Sequence, residues 1–238
     1  MVLDNGGVEG TFLEESKSRF LCSVRVDDEI EECYVPSSCK LGKLIDLSGK
    51  KVLLQSVDNK NARTKYSVEA IKFSKGYVLL NLSEVNRIIH ENINRKLFSF
   101  LGTRKRVKRE VRVDGYKADL YVEDSGTIVE IKTLLSPEKS ALFPSVTSKR
   151  AEQQLKKILG LLVTYKVCYI IVSLHPKTKT IALNSSMSRY EELFRQCLSK
   201  GMECRVYSLS LNERKEPVIK RNVYLDLNED IIVADLLK

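Results

Sequence analysis

The residues that could do chemistry are Asp119, Glu130 and Lys132, which lie within one short stretch of the chain. That stretch, residues 117–132, contains two apolar, partly β-branched segments separated by the turn formers of Glu123–Gly126, so it predicts a β-hairpin. The hairpin register places Asp119 opposite Glu130, and Lys132 shares their face because side chains on a strand alternate with a period of two. Two carboxylates and an ammonium are therefore expected to converge.

Two opposed carboxylates repel each other, so a cation is expected between them, and either Lys132 or a bound divalent metal ion could supply it. Mg²⁺ or Mn²⁺ binds carboxylate oxygens and retains water molecules, one of which can become a nucleophile. A neighbouring ammonium can orient that water or offset charge on a phosphate. The spacing therefore suits hydrolysis of phosphodiester bonds.

The same spacing also arises by chance, and the alternative is a solvated hairpin that carries a surface ion pair. The position of Glu130 argues against this alternative. It lies within the β-branched segment Thr127–Ile131, where burying an unpaired charge would be costly.

Two polar segments near the hairpin are expected to contact phosphates. The basic run before the hairpin consists of Arg104, Lys105, Arg106, Lys108 and Arg109. An amphipathic helix is predicted to begin at Thr147-Ser148, and its polar side carries Lys149, Arg150, Gln153 and Lys157. For both segments the alternative is a charged face that meets only water.

Segments along the chain resemble, in the same order, those of the sugar fermentation stimulation protein A (SfsA) family. They are Gly10–Leu13, Arg19–Leu21, Arg109–Val111, Ala118–Leu120, Val129–Lys132, Phe143–Thr147 with Lys149 and Arg150, and Gly201–Val206. The resemblance covers most of the chain. It implies an N-terminal OB-like small β-barrel followed by an α/β domain of the PD-(D/E)XK nuclease type, which makes the whole chain α+β.

The resemblance also implies roles for individual residues. Asp119 and Glu130 would hold the metal, Mg²⁺ or Mn²⁺, and the Ile131 carbonyl would add a ligand. Lys132 would steady the attacking water or the phosphate, and Glu110 would be an accessory acidic residue.

The sequence departs from the family pattern in three places. A His-Cys-Pro-Asn-type segment of the family is replaced by Val35–Gly42, and an Asp after the Phe-Pro pair is replaced by Ser145. An Arg-Ile-Asp run is replaced by residues 117–119, which keep the carboxylate. The residues of the implied catalytic set are all present.

Residues 1–81 are predicted to form the OB-like domain and to bind nucleic acid. Strands are predicted at 10–25, 30–35, 51–57, 65–73 and 77–81, with turn-forming residues between them. The barrel aromatics either stack on bases or fill the core; they are Phe12, Phe20, Tyr34, Tyr66 and Phe73. Arg19 is the candidate binding residue in this half of the chain.

Residues 82–238 are predicted to form the nuclease-like domain. A helix capped by Ser83 is predicted to run to about Leu101, and the nearby Asn81 and Asn86, which match family asparagines, are interpreted as caps. The order strand, helix, strand, helix, strand between residues 127 and 209 favours an α/β sheet with crossover helices.

The composition fits a globular protein with a polyanionic partner. Lys and Arg exceed Asp and Glu by nine among 238 residues. No apolar run is long enough for a membrane span, and the acidic residues near the amino terminus argue against a signal peptide. We therefore expect a cytoplasmic protein with no membrane partner. Its six cysteines lack C-x-x-C spacing, which disfavours a zinc site.

These observations predict a Mg²⁺-dependent nuclease that acts on nucleic acid, with DNA favoured over RNA. The alternative is a non-catalytic DNA-binding regulator in which the nuclease fold is silent, and a weaker third possibility is a scaffold whose basic face binds an acidic protein. A homodimer is compatible with the fold analogy.

Overall fold

The computed structural model describes residues 7–18, 20–36, 41–43, 46–59, 61–146 and 148–227. In these ranges the chain forms fifteen β-strands, three α-helices and three short 3₁₀ segments. The helices are α1 (Ser83–Glu91), α2 (Lys149–Leu161) and α3 (Ser188–Ser199). The 3₁₀ segments are Leu41–Lys43, Lys96–Leu101 and Ser185–Met187. The mixture of elements agrees with the predicted α+β class.

The first five strands form a small closed barrel. They are β1 (Val8–Glu15), β2 (Leu21–Val26), β3 (Glu29–Tyr34), β4 (Lys51–Ser56) and β5 (Tyr66–Phe73). Their order is β3-β2-β1-β4-β5, and a short parallel pairing of β3 with β5 closes the barrel. Val24, Leu53 and Val68 are fully buried in its core. The predicted OB-type barrel is confirmed.

One predicted strand of the barrel was wrong. The segment 10–25 is two antiparallel strands, β1 and β2, and the chain reverses where the Ser16 N–H donates to the Leu21 carbonyl at 2.9 Å. The reversal has no Gly or Pro to mark it, so a continuous strand was the simpler interpretation.

A single sheet connects the barrel to the rest of the molecule. The strand β6 (Gly76–Leu79) pairs with β5 on one side and with β13 (Glu203–Asn212) on the other. The apolar core is also shared, since one cluster contains barrel residues such as Val68 together with Ile170 and Leu209. The division into 1–81 and 82–238 remains a prediction from the sequence.

The long helix predicted after Ser83 is two separate segments. Helix α1 ends at Glu91, where the Asn92 side chain donates to the Ile88 carbonyl at 2.8 Å, and Lys96–Leu101 continues as a 3₁₀ segment. Ser83 does not cap α1. Instead the Asn81 side-chain oxygen accepts from the Ser83 N–H at 3.2 Å, which forms an Asx turn that leads into α1, and no side chain caps the helix itself.

The second half of the chain forms the α/β part of the sheet. Its strands are β7 (Val107–Val113), β8 (Tyr116–Val122), β9 (Thr127–Leu134), β11 (Lys166–Ser173), β13, and β14 (Pro217–Lys220). β9, β11 and β13 run parallel, with α2 and α3 between them in the chain, as predicted. β7 and β8 extend this sheet with antiparallel pairing.

The buried strand β11 separates two apolar cores. Its residues Cys168, Ile170 and Val172 pack toward the barrel and α1, and the residues between them pack toward α2 and α3. A small parallel sheet lies on the side of α2 and α3; its strands are β10 (Ser140–Phe143), β12 (Thr180–Leu183) and β15 (Tyr224–Asp226).

Candidate metal and nucleic-acid site

The predicted hairpin is strands β8 and β9 with the turn 123–126. Leu120 pairs with Val129, and the next two pairs follow the predicted register up to Val122 and Thr127. Gly126 takes a φ of +63° in the turn, a conformation that glycine adopts without steric cost. The register that the sequence predicts for these pairs is confirmed.

The regular ladder is interrupted at Asp119. Ala118 packs in the core beneath α2 and α3, while Leu120 packs in the opposite core, so the usual alternation breaks between them. On the neighbouring strand β7, Glu110 is also distorted, with a φ of +50°. The Asp119 Oδ2 atom accepts a hydrogen bond from the Ile131 N–H at 2.7 Å where the ladder between the two strands has ended.

A second donor to Asp119 comes from α1. The Asn86 side-chain N–H donates to Asp119 Oδ1 at 3.0 Å, and the Asn86 side chain also helps to lower the pKa of Glu110. The sequence interpretation gave Asn86 only a capping role. A polar residue next to the apolar positions of α1 was the only sign of its role in the sequence. The packing of α1 on β8 shows that Asn86 contacts Asp119.

Glu130 is buried and enclosed by three donors. Its side chain is 1% exposed, which excludes the solvated surface pair. Oε1 accepts from the Lys132 ammonium and from the Gln154 amide at 3.2 Å, while Oε2 accepts from the Tyr116 hydroxyl at 2.5 Å. Gln154 also accepts from the Lys132 ammonium at 3.0 Å, so these groups form one network.

Gln154 and Tyr116 were not predicted as site residues. Gln154 lies on α2 next to Gln153, and the helical pattern alone placed only Gln153 on the functional side. Tyr116 follows the turn between β7 and β8, and its aromatic side chain gives no sign in the sequence beyond a place in the core. It is indeed buried, at 4% exposure.

The electrostatics of the site are set by burial and by charge repulsion. Burial, followed by the Glu130 charge, raises the pKa of Asp119 to about 6, although the Ile131 N–H and Lys132 oppose the shift. Glu110 behaves in the opposite way, because its hydrogen bond to Lys117 lowers its pKa. Burial and the Glu130 charge raise the pKa of Tyr116, so its hydroxyl remains a donor. Asp119 is therefore the acid for which an added cation would relieve most repulsion.

A polar cavity of about 500 Å³ opens onto Asp119. It is lined by Glu110, Tyr116, Lys117, Asp119, Arg150, Gln153, Gln154 and Lys157. Three of the predicted phosphate contacts on α2 therefore reach the cavity, and the fourth, Lys149, lies exposed at the start of the same helix. The Ser148 hydroxyl accepts from the Ala151 N–H at 3.2 Å and caps α2, which begins at Lys149, one residue after the predicted start at Thr147-Ser148.

The basic run of residues 104–109, which extends into β7, lies elsewhere, since the described lining of the cavity includes none of its residues. Arg104 donates to the carbonyls of Ile93, at 2.9 Å, and of Gly102. Arg106 is paired with Asp124 at 3.3 Å, and Lys108 is paired with Glu123. Lys105 and Arg109 are exposed. The acidic turn of the hairpin therefore neutralises part of the run, a contact that the sequence interpretation missed.

Four of the five barrel aromatics divide into two groups, and the fifth, Phe73, is half-buried. Phe12 and Tyr66 are buried at 3% and 8% exposure, whereas Phe20 and Tyr34 are 37% and 41% exposed. The candidate Arg19 lies outside the described residues.

The donor set limits which metal the site could take. Among the described residues no group of three His, Cys, Asp or Glu side chains lies close enough together to hold a metal ion. Asp119 and Glu130 supply oxygen atoms, and an ionised carboxylate has about four lone-pair positions. Asp119 uses two of these for the bonds described above and Glu130 uses three. The remaining capacity fits a hard divalent cation that keeps several waters, as Mg²⁺ does.

The Ile131 carbonyl was also predicted as a ligand. The N–H and C=O of one residue in a strand point to the same side, and the Ile131 N–H points to Asp119. The carbonyl therefore faces the same neighbouring strand, which is compatible with the predicted role.

Comparison with known protein families gives two adjoining matches. Residues 83–215 match the model described as the sugar fermentation stimulation protein RE domain, and residues 16–80 match the SfsA N-terminal OB domain. The described residues contain no helix long and apolar enough to cross a membrane.

Relatives with the same description occur in diverse organisms. A sugar fermentation stimulation protein homolog of Thermosipho melanesiensis is 32% identical over 153 residues, which are 64% of each chain. The homolog of Synechocystis is 28% identical over 206 residues, covering 82% of this chain and 86% of that protein. The homolog of Alkaliphilus oremlandii is 27% identical over 231 residues, covering 92% and 96%.

A solved structure has the same fold. The structure of Pyrococcus furiosus SfsA in complex with Ca²⁺ superposes with a TM-score of 0.81 at 17% sequence identity, covering 94% of this chain and 98% of that one. At that identity the likeness establishes the arrangement of the strands and helices described above.

Proposed function

Because the chain belongs to the sugar fermentation stimulation protein family, and because its acidic pair of the buried Glu130 and the half-buried Asp119 lies beside a polar cavity that three basic side chains line, we propose that it is a metal-dependent nuclease that binds nucleic acid, with DNA favoured over RNA. The observation that carries the proposal is the network of Asp119, Glu130 and Lys132. A fold rarely buries two carboxylates together without a chemical use for them, because each costs free energy when desolvated.

The PD-(D/E)XK assignment of the second domain is part of this proposal. It is supported by the position of Asp119 on one strand and of Glu130 and Lys132 on the next, with helix α2 placing Gln154 against them. Asp119 lies close enough to Glu130 and Lys132 for their charges to shift its pKa, which supports the assignment.

A hard divalent cation, Mg²⁺ or Mn²⁺, is the proposed cofactor. The oxygen-only donor set and the raised pKa of Asp119 support it, and a related protein from Pyrococcus furiosus has been solved in complex with Ca²⁺. When bound, such an ion supplies an activated water and offsets charge on a phosphate. Asp119, Glu130 and the Ile131 carbonyl would hold it.

The protein groups divide the remaining work. The Ile131 N–H and Asn86 fix the Asp119 carboxylate, while Tyr116 and Gln154 fix Glu130. The Lys132 ammonium can orient the attacking water or stabilise charge that develops on the phosphate. On the rim of the cavity the phosphate backbone would be held by Arg150, Gln153 and Lys157.

The test compares cleavage by the wild type and by Asp119→Asn. Labelled DNA and RNA are incubated with each protein and with Mg²⁺ or Mn²⁺. We expect cleavage by the wild type only, because the variant loses one metal-binding carboxylate while keeping the side-chain shape. Asp28→Asn, which changes an exposed carboxyl in the turn after β2, is the matched control and should cleave like the wild type. Equal cleavage by the wild type and Asp119→Asn would remove the proposed site.

A second candidate function is a DNA-binding regulator without turnover. It is favoured by the absence of a three-ligand cluster among the described residues and by the three hydrogen bonds that already satisfy Glu130. Isothermal titration with Mn²⁺ separates the two functions. The nuclease predicts Mn²⁺ binding that Asp119→Asn weakens, whereas the regulator predicts salt-sensitive DNA binding with no heat of metal binding.

A further inference from the structure

A second cavity, of about 430 Å³, opens on the surface of the barrel. It is lined by Ser18, Phe20, Leu21, Tyr34, Val57, Ala62, Arg63 and Thr64. These residues come from the start of β2, the end of β3 and the two segments that precede β2 and β5. In an OB barrel, strands 2 and 3 and the loops before strands 2 and 5 form the face that binds oligonucleotides.

Two aromatic rings of this cavity are exposed together. The Phe20 and Tyr34 rings lie with centroids 6.4 Å apart and an interplanar angle of 22°, so they present nearly parallel faces. Both are more than a third exposed, unlike the buried Phe12 and Tyr66 of the same barrel. The planar guanidinium of Arg63, paired with Glu32 at 3.3 Å, lies at the edge of the same cavity. Adjacent exposed rings of this kind are a surface on which a flat, weakly polar group can stack.

Charge is distributed unequally between the two halves of the chain. Residues 1–81 carry twelve basic and twelve acidic side chains, whereas residues 82–238 carry twenty-eight and nineteen. The whole basic excess therefore lies in the second half. Residues 1–81 carry no net charge, so a contribution of the barrel to nucleic-acid binding is expected to come mainly from contacts to the bases.

We propose that the Phe20 and Tyr34 cavity is a stacking site for unpaired nucleobases, and that the substrate of the proposed nuclease therefore contains a single-stranded segment. This inference rests on the proposed function. A base within a duplex has both faces covered by its neighbours, and only a base in a single strand offers a face to an aromatic side chain. The volume of the cavity is at the small end of the usual range for ligand sites and suits one or two bases, not a folded partner.

The test measures binding without cleavage. Fluorescence anisotropy is recorded in EDTA with a labelled oligothymidylate and with a blunt duplex of the same length. Tyr34→Leu and Phe20→Leu keep apolar bulk on a partly exposed position but remove the ring, so the fold is retained. We expect each variant to bind the single strand about 5- to 100-fold more weakly, because stacking contributes that much per base, and to bind the duplex like the wild type.

Salt dependence provides the second readout. A stacking contact releases no counterions, so the slope of log affinity against log salt should be unchanged in Tyr34→Leu. Tyr224→Leu is the matched control, since Tyr224 is 56% exposed on β15, outside the cavity, and should change neither affinity nor slope. An oligonucleotide containing 2-aminopurine reports base stacking directly by its fluorescence, and the chain contains no Trp that would interfere. Its fluorescence should be quenched by the wild type and less so by the Leu variants.

The outcomes distinguish this inference from the proposed function. Unchanged single-strand affinity in both Leu variants, or an equal loss for single strand and duplex, would overturn the stacking site. If the Leu variants weaken single-strand binding but the wild type cleaves nothing in Mg²⁺ or Mn²⁺, the nuclease proposal fails and the stacking site stands. If the wild type cleaves and the Leu variants bind normally, the stacking site alone fails.

Discussion

Asp119 is the residue that both destabilises the fold when it is ionised and is proposed to bind the metal. It is held by the Ile131 N–H and by Asn86, yet burial and the nearby Glu130 charge raise its pKa to about 6. Folding thus raises the proton affinity of Asp119 in the absence of metal. Repulsion of this kind is typical of functional sites, where stability is lost in favour of chemistry.

The pKa of Asp119 predicts a pH-dependent stability difference between the wild type and Asp119→Asn. Because the folded pKa of about 6 is above the unfolded value of about 3.9, ionisation of this group destabilises the fold. The cost is absent below about pH 4 and complete above about pH 6. In metal-free buffer at pH 7.5 the variant should therefore gain on the order of 1–3 kcal/mol in the free energy of unfolding relative to the wild type.

Urea unfolding of both proteins in EDTA, at several pH values between 4 and 7.5, measures this difference. The gain should shrink as the pH falls toward 4, since the wild type then binds the proton that relieves the repulsion. A difference that stays constant over this range would show that Asp119 does not carry the strain assigned to it.

At the scale of elements, helix α1 connects the barrel to the site. Asn81, just before α1, donates to Glu69 of β5 at 2.8 Å, and Asn86 within α1 donates to Asp119. Glu69 is 5% exposed, so this attachment of α1 to the barrel is buried. The position of the Asp119 carboxylate therefore depends on a helix that the hairpin itself does not contain.

Asn86→Ala should weaken metal binding and cleavage about 10- to 100-fold while oligonucleotide affinity in EDTA stays unchanged. The physical reason is that the variant frees the Asp119 carboxylate to rotate, while the cavity rim on α2 is untouched. Mn²⁺ titration calorimetry and single-turnover cleavage provide the two measurements. Asn86→Asp serves as the comparison, because it keeps the size but adds a third acid beside Asp119 and Glu110. A loss of oligonucleotide affinity equal to the loss of cleavage would contradict a positioning role.

At the scale of the whole molecule, the basic side chains near the site fall into two groups. Arg150 and Lys157 line the cavity, whereas Arg106 and Lys108 are paired with the acidic turn of the hairpin. An exposed ion pair contributes little to stability, but it does occupy the charge that a phosphate would otherwise meet. The two groups should therefore differ in their effect on binding.

Arg150→Gln and Lys157→Gln should each reduce the slope of log affinity against log salt by about 1, since each removes one phosphate contact. Arg106→Gln, the matched change in the basic run, should leave the slope near the wild-type value. Anisotropy titrations with one labelled DNA at several salt concentrations give all three slopes. The assignment of the phosphate path to α2 fails if Arg106→Gln lowers the slope as much as the α2 variants do.

The sequence by itself determined the hairpin and the members of its acidic pair. The period of two and the turn chemistry of residues 123–126 fix the pairing from Leu120 and Val129 to the turn, because these properties depend only on near neighbours. The same holds for the start of α2 near Ser148 and for the buried character of β11. These local patterns did not predict the interruption at Asp119, which takes that residue out of the expected pairing with Glu130. The resemblance to one family added the OB barrel, which the fold confirmed.

Only the tertiary structure decided which groups surround that pair. Asn86 lies 33 residues from Asp119 in the chain, and Gln154 lies 24 residues from Glu130. The packing of α1 and α2 on the sheet decides that these side chains contact the two acids. Packing likewise paired Arg106 with Asp124 and left Phe20 exposed beside Tyr34. Local patterns specify which face of an element is apolar, but the rotation and contact point of one element on another follow from the filling of a shared core, which no short segment encodes.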